Sequence, residues 1–289
     1  MFNIDAHRAA RGVVRSGAFD LGYQIEGQGE PVLVVGSAIY YPRTFSQALR
    51  EKLRFVFLDH RGFAKPSRPA CTGDFGLDRV VDDVELVRSL LGLGKITILG
   101  HSGHGYMALE YARRYPQHIG KVVVVGTGPS HAARHMQAAE ERWRAEADDD
   151  RKQVFEEDMA KLPLDLAAHP EKRFIAYCIR MSARSWFNPR FDATSLWRGV
   201  HVNMAAFDHL WGETFRDLDM AALARQVEAP VLLALGRFDY LVAPAENWEE
   251  YRDDFRALTL RIFDKSGHTP QLEQAAEFDA AMLEFLAEG

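Results

Sequence analysis

Four short runs of consecutive apolar residues punctuate the first part of the chain: PVLVV (31–35), FVFLD (55–59), ITILG (96–100) and KVVVVG (121–126). Apolar runs of that length, bounded by turn residues, predict strands buried on both faces of a parallel sheet. Between them lie stretches with helical spacing, near 43–52, at about 77–92 and at 103–116, the last ended by Pro116. Strands alternating with helices predict right-handed crossovers and a doubly wound, mostly parallel α/β sheet.

The alternation stops after Gly126. From about 129 to 226 no strand pattern recurs, and the segment is rich in charge, alanine and large aromatics. It predicts several helices. The earlier rhythm then returns, with a strand at 230–236, a helix at 244–256, a strand at 258–264 and a closing helix at 269–288. The expected organisation is a core in two parts, 1–128 and 227–289, with a helical lid at 129–226 inserted between its halves.

Composition narrows the function. The 289 residues suffice for one large α/β domain with an insert. A net charge of −6 lacks the basic surplus of a nucleic-acid binder. No apolar run approaches the roughly 18 residues of a membrane helix. The first residues, MFNIDAHRAARGVV, contain no apolar stretch of a secretory signal. Cys71 and Cys178 lie far apart and form no metal or redox motif. Two reduced thiols in a cytoplasmic protein is the expectation, with a small molecule as substrate and neither nucleic acid nor membrane as partner.

Three residues carry candidate chemistry. ITILGHSGHGYMALEYA places Ser102 between a strand and a helix, where a sharp turn exposes its hydroxyl above the N-terminus of the helix. The G-x-S-x-G pattern is met at Gly100 and Ser102, but His104 occupies the last glycine position and Gly105 follows. LLALGRFDYLVAP puts Asp239 just after a strand, and DKSGHTPQLEQ puts His268 in the loop after the last strand. Asp favours turns for its own reasons, and a loop histidine is commonly just solvated. Yet all three sit at the carboxyl ends of strands, where open α/β sheets gather their chemistry, in the order Ser, Asp, His. His101 and His104 form an H-x-x-H, but two ligands are too few for a metal and no third is apparent. Neither metal nor cofactor is expected.

With these residues in place, the chain resembles lidded α/β-hydrolases, the group of prolyl aminopeptidase-like peptidases, esterases and C–C bond hydrolases. The resemblance spans nearly the whole chain through GQGEPVLVVG (27–36), LDHRGFAKPS (58–67), GHSGHG (100–105), GRFDYLVAP (236–244) and SGHTPQLEQ (266–274). It implies a serine hydrolase that cleaves an ester or amide of a small to medium, largely apolar substrate. Ser102 would be the nucleophile, His268 the base and Asp239 the acid orienting it. The oxyanion would be held by the backbone N–H groups of Gly103 and Ser37. The loop reads Val35-Gly36-Ser37-Ala38 where many relatives read His-Gly-x-Pro, which weighs against a prolyl aminopeptidase. Such a peptidase would need acids in the lid for the substrate amine, and Glu157, Asp158 and Asp208 are available. C–C hydrolysis with the same triad and a single-turnover ligand receptor are the alternatives. Of Trp143, Tyr177, Met181, Trp186, Phe187, Trp197, Phe207 and Trp211 in the lid, two or three are expected to line the pocket, with the rest forming lid core.

Overall fold

The computed structural model describes residues 10–288. Eight strands form one sheet: β1 (Ala10–Ser16), β2 (Phe19–Gly27), β3 (Glu30–Gly36), β4 (Leu53–Asp59), β5 (Ile96–His101), β6 (Ile119–Val125), β7 (Val231–Gly236) and β8 (Leu258–Phe263). Their order across the sheet is β1-β2-β4-β3-β5-β6-β7-β8. β1 and β2 form an antiparallel hairpin at one edge, β2 runs antiparallel to β4, and all other neighbours are parallel.

The six expected strands are present. The hairpin β1–β2 was not anticipated. Its strands are half exposed, so they lack the continuous apolar run that marks a strand covered on both faces. Gly22 interrupts the second of them because the Asp59 carboxylate of β4 occupies the space: a Cβ there would lie 2.5 Å from Oδ2.

Alternation along the strands feeds two cores. Leu33, Val35, Val56, Leu58, Ile98, Val122 and Val124 face one side, where the helices Leu77–Leu90 and His104–Arg114 add Val80, Val84, Met107 and Tyr111. Val32, Val34, Phe55, Phe57, Leu99, Val123 and Val125 face the other, closed by Phe278, Met282 and Phe285 of the helix Ala275–Ala287.

Between β6 and β7 the described residues form helices and no strand. The last of these, Met220–Ala224, packs into the first core beside the helix His104–Arg114. Three expected helices differ in detail. The stretch 43–52 is a 3₁₀ turn at Tyr41–Arg43 and a single α-turn at Gln47–Arg50; 244–256 is 3₁₀ over Ala245–Asp254; and the closing helix is broken at Gln274. The break serves the histidine loop. Gln274 accepts the Lys265 N–H, and Glu273 accepts the N–H groups of Gly267 and Thr269, on either side of His268.

Candidate active site

Ser102 is the one non-glycine among the described residues with a left-handed backbone, φ +58°. A strained serine between β5 and a helix is the geometry that lifts a nucleophile clear of the sheet. Its N–H donates to the Val125 carbonyl at 2.8 Å, and its own carbonyl accepts the Thr127 hydroxyl at 2.8 Å, so the turn is tied to the end of β6. The chain folds back so tightly that a Cβ on Gly100 would lie 2.1 Å from the His104 carbonyl. The close approach of helix to strand falls on Gly105, where a Cβ would meet Thr127 and Val124. Position 104 is therefore free to carry a side chain.

The other two predicted residues meet. His268 Nδ1 lies 2.7 Å from Asp239 Oδ2. Asp239 is 2% exposed, and its Oδ1 accepts the Leu241 N–H at 3.0 Å. The nearby acids are engaged elsewhere: Asp264 pairs with Arg237 and Asp254 with Arg225, all at the surface. With Nδ1–H committed to the carboxylate, Nε2 of a neutral His268 carries a lone pair. Ser102 and His268 line one cavity.

After β3 the backbone turns sharply. The Ser37 hydroxyl accepts the N–H groups of Ile39 and Tyr40, the Ser37 carbonyl accepts the Tyr41 N–H, and the Ala38 N–H goes to Asp59 Oδ1 at 2.7 Å. Among the described residues neither the Ser37 nor the Gly103 N–H has a protein acceptor. Gly103 must be glycine because Trp211 of the helical block lies against it, 2.5 Å from where a Cβ would be.

Burial pushes the Asp59 carboxyl up to about 7, against the smaller opposing pull of the Ala38 N–H and the Ser37 hydroxyl. A value raised above that of the unfolded chain gives stability that is full below about pH 3.9 and lost as pH rises through 7. Asp59→Asn keeps an acceptor for Ala38 without the buried charge. Its stability relative to wild type should improve by about 2 kcal/mol between about pH 5 and pH 8.5. Urea unfolding at both values checks this; an unchanged difference would refute it.

The cavity is walled by Trp186, Trp197 and Trp211, joined by Phe63, Phe174, Tyr40, Tyr41, Met136 and Leu241. The remaining lid residues singled out from sequence go elsewhere: Trp143 and Phe207 are buried in the packing, while Tyr177 and Phe187 are exposed. Its polar lining comes from His101, His104, Ser130, His131, Ser185 and Thr269, with the Cys178 thiol pushed up to about 12 by burial. Phe174, Cys178 and His131 had no local signal, since only tertiary packing brings them here. Among its lining residues there is no Asp, Glu, Lys or Arg. Glu157 and Asp158 line a separate cleft, with Asp158 beside Lys161 and Arg180, and Asp208 pairs with Arg173.

Residues 29–275 match the family described as alpha/beta hydrolase fold. The AB hydrolase superfamily protein YclE of Bacillus subtilis is 45% identical over 275 residues, 95% of this chain and 98% of that protein. A proline iminopeptidase of Heyndrickxia coagulans is 25% identical over 90% of this chain and 91% of its own. Among solved structures, the proline iminopeptidase of Mycobacterium smegmatis superposes with a TM-score of 0.72 at 18% identity, covering 96% of this chain and 97% of that one. Agreement of this extent, on a sheet of this order, makes the chain an enzyme of the α/β-hydrolase superfamily.

Proposed function

We propose that this enzyme is a serine hydrolase acting on an ester or amide whose acyl part is uncharged and largely apolar. The observation that carries the reading is the Asp239–His268 hydrogen bond, made at 2.7 Å inside the fold, beside a strained Ser102 on the same cavity. His268 Nε2 takes the proton of Ser102 as Oγ attacks the carbonyl carbon. Asp239 holds the tautomer and stabilises the imidazolium. The N–H groups of Ser37 and Gly103 receive the oxyanion. Its collapse expels the leaving group, which takes the proton from His268, and water releases the acyl group from Ser102 by the reverse roles. Residues 129–226, inserted between the two parts of the core, 1–128 and 227–289, supply the lid, except for their last helix, Met220–Ala224, which belongs to the first core.

The lining residues support the substrate class. A cavity of about 230 Å³ without a charged side chain suits a small to medium apolar acyl group. A substrate with a free amine would enter it unpaired, and an uncompensated buried charge costs several kcal/mol. Aminoacyl p-nitroanilides should therefore fall behind p-nitroanilides of neutral acids of similar size by about a hundredfold or more in kcat/KM. A fluorophosphonate should label Ser102 and nothing in Ser102→Ala. Preference for the aminoacyl substrates would sink the substrate class; labelling that survives Ser102→Ala would sink the mechanism.

A further inference from the structure

The two places where this sequence departs from its family's pattern meet in space. His104 stands at the last glycine position of the elbow, and Tyr41 follows Val35-Gly36-Ser37-Ala38, the loop that stands where many relatives read His-Gly-x-Pro. Tyr41 Oη is 2.9 Å from His104 Nδ1 and 3.2 Å from His101 Nδ1. His104 Nε2 is 3.1 Å from His60 Nε2, and His60 Nδ1 accepts the Gly62 N–H at 2.9 Å. At the other end His101 Nε2 is 2.7 Å from the backbone carbonyl of His268. All four side chains are buried.

The hydrogen bonds fix every proton in this chain. Burial lowers His60 and His101 well below the ordinary histidine value and His104 to about 4, so the imidazoles are neutral. A neutral imidazole has one donor and one acceptor. His60 accepts from Gly62 at Nδ1, so its Nε2–H donates to His104 Nε2. His104 Nδ1–H is then a donor, shared between Tyr41 Oη and the His101 carbonyl, 2.9 Å away. The Tyr41 hydroxyl donates to His101 Nδ1, and His101 Nε2–H donates to the His268 carbonyl. Each group has a partner of the right kind, and both ends are backbone groups. A chain ending in a peptide N–H and a peptide carbonyl does not pass a proton along; it holds positions.

What it holds are the loops after β3, β4, β5 and β8. Tyr41 is the only member on the turn that carries Ser37, and its N–H donates to the Ser37 carbonyl at 3.2 Å. Its ring lies where a Cβ on Gly36 would be, 2.0 Å from Cε2. We propose that Tyr41 is a positioning residue: its hydroxyl, pinned by His104 and His101, sets the Ser37 N–H at the distance from Ser102 that the oxyanion needs. The side chain at 104 is what makes the pin. The inference rests on the serine-hydrolase reading above.

A misplaced oxyanion donor is felt in the transition state more than in substrate binding. Tyr41→Phe, which removes one oxygen and keeps the ring, should lower kcat per active site by about tenfold, with KM within about twofold of wild type. Active sites are counted by fluorophosphonate titration, and a thermal midpoint accompanies each variant. His104→Leu should lose a similar factor. His104→Asn, whose amide N–H stands near the position of Nδ1, should keep most of kcat. A Tyr41→Phe enzyme with a lower thermal midpoint and wild-type kcat per active site would overturn the proposal, since that is what a merely structural bond would give. Should Tyr41→Phe not fold, equal kcat in His104→Leu and His104→Asn overturns it. Ser102→Ala run alongside separates the failures. An active Ser102→Ala removes the nucleophile and the positioning role together. An inactive Ser102→Ala beside a fully active Tyr41→Phe removes the positioning role alone.

Discussion

Ser102→Ala is expected to lower kcat by about 10⁶-fold, the loss that follows removal of the nucleophile from a serine-protease triad. The size of the effect follows from how the three residues act. Without Oγ there is no acyl-enzyme, and the remaining groups can only bind substrate and polarise its carbonyl. Folding should be untouched, because alanine bears the same left-handed strain as serine. Ser102→Gly is a useful companion. It is equally without a nucleophile, but glycine adopts φ +58° without a Cβ clash. That variant should be more stable than wild type by about 1 kcal/mol. The pair separates chemistry from backbone: activity lost in both, stability gained in one. Substantial turnover by both folded variants would mean that another group attacks the substrate.

The parts of the fold that could be read in the sequence are those whose cause is local. β3 through β7 are apolar runs because the sheet is covered on both faces there, and a doubly buried strand leaves that signature, whereas β8, at the far edge and partly exposed, keeps only the mixed run LTLRIF. β1 and β2 share one face with solvent and lie antiparallel at an edge, so their signal is a weak alternation broken by Gly22. Gly22 itself is explained only by the carboxylate of Asp59, 37 positions further along the chain. The break at Gln274 has the same origin, because Glu273 and Gln274 hydrogen-bond the loop that carries His268.

The candidate site divides in the same way. Ser102, Asp239 and His268 each carry a signature within a few residues, since each needs a particular turn at the end of a strand. The cavity wall carries none. Trp186, Trp197 and Trp211 were visible as aromatics, but their inward direction is set by how the helices pack, and Phe174, Met136 and Cys178 look like ordinary lid core in the sequence. His104 was visible as a departure from a pattern, and Tyr41 follows another, the loop Val35-Gly36-Ser37-Ala38. Their pairing was not, because 63 residues separate them and the contact depends on β3 lying next to β5.

Asp239→Asn should leave the fold intact and lower kcat by about 10⁴-fold, as the equivalent change does in a serine protease. The hydrogen bonds around Asp239 explain why the amide would turn the wrong way. Oδ1 accepts the Leu241 N–H at 3.0 Å and Oδ2 accepts His268 Nδ1–H at 2.7 Å. An asparagine has one acceptor oxygen where the aspartate has two. Turning its NH₂ toward Leu241 sets donor against donor in a site that is 2% exposed, where a lost backbone hydrogen bond costs about 1–3 kcal/mol. The oxygen therefore stays on Leu241 and the NH₂ faces His268. His268 must then accept at Nδ1, its proton moves to Nε2, and the base loses the lone pair that Ser102 needs. Asp264→Asn is the control: its carboxylate is exposed and paired with Arg237, so kcat should remain near wild type. The measurement is kcat and the thermal midpoint for both variants. A folded Asp239→Asn with near-normal kcat would mean that a different carboxylate orients His268, and the assignment of Asp239 would have to be withdrawn.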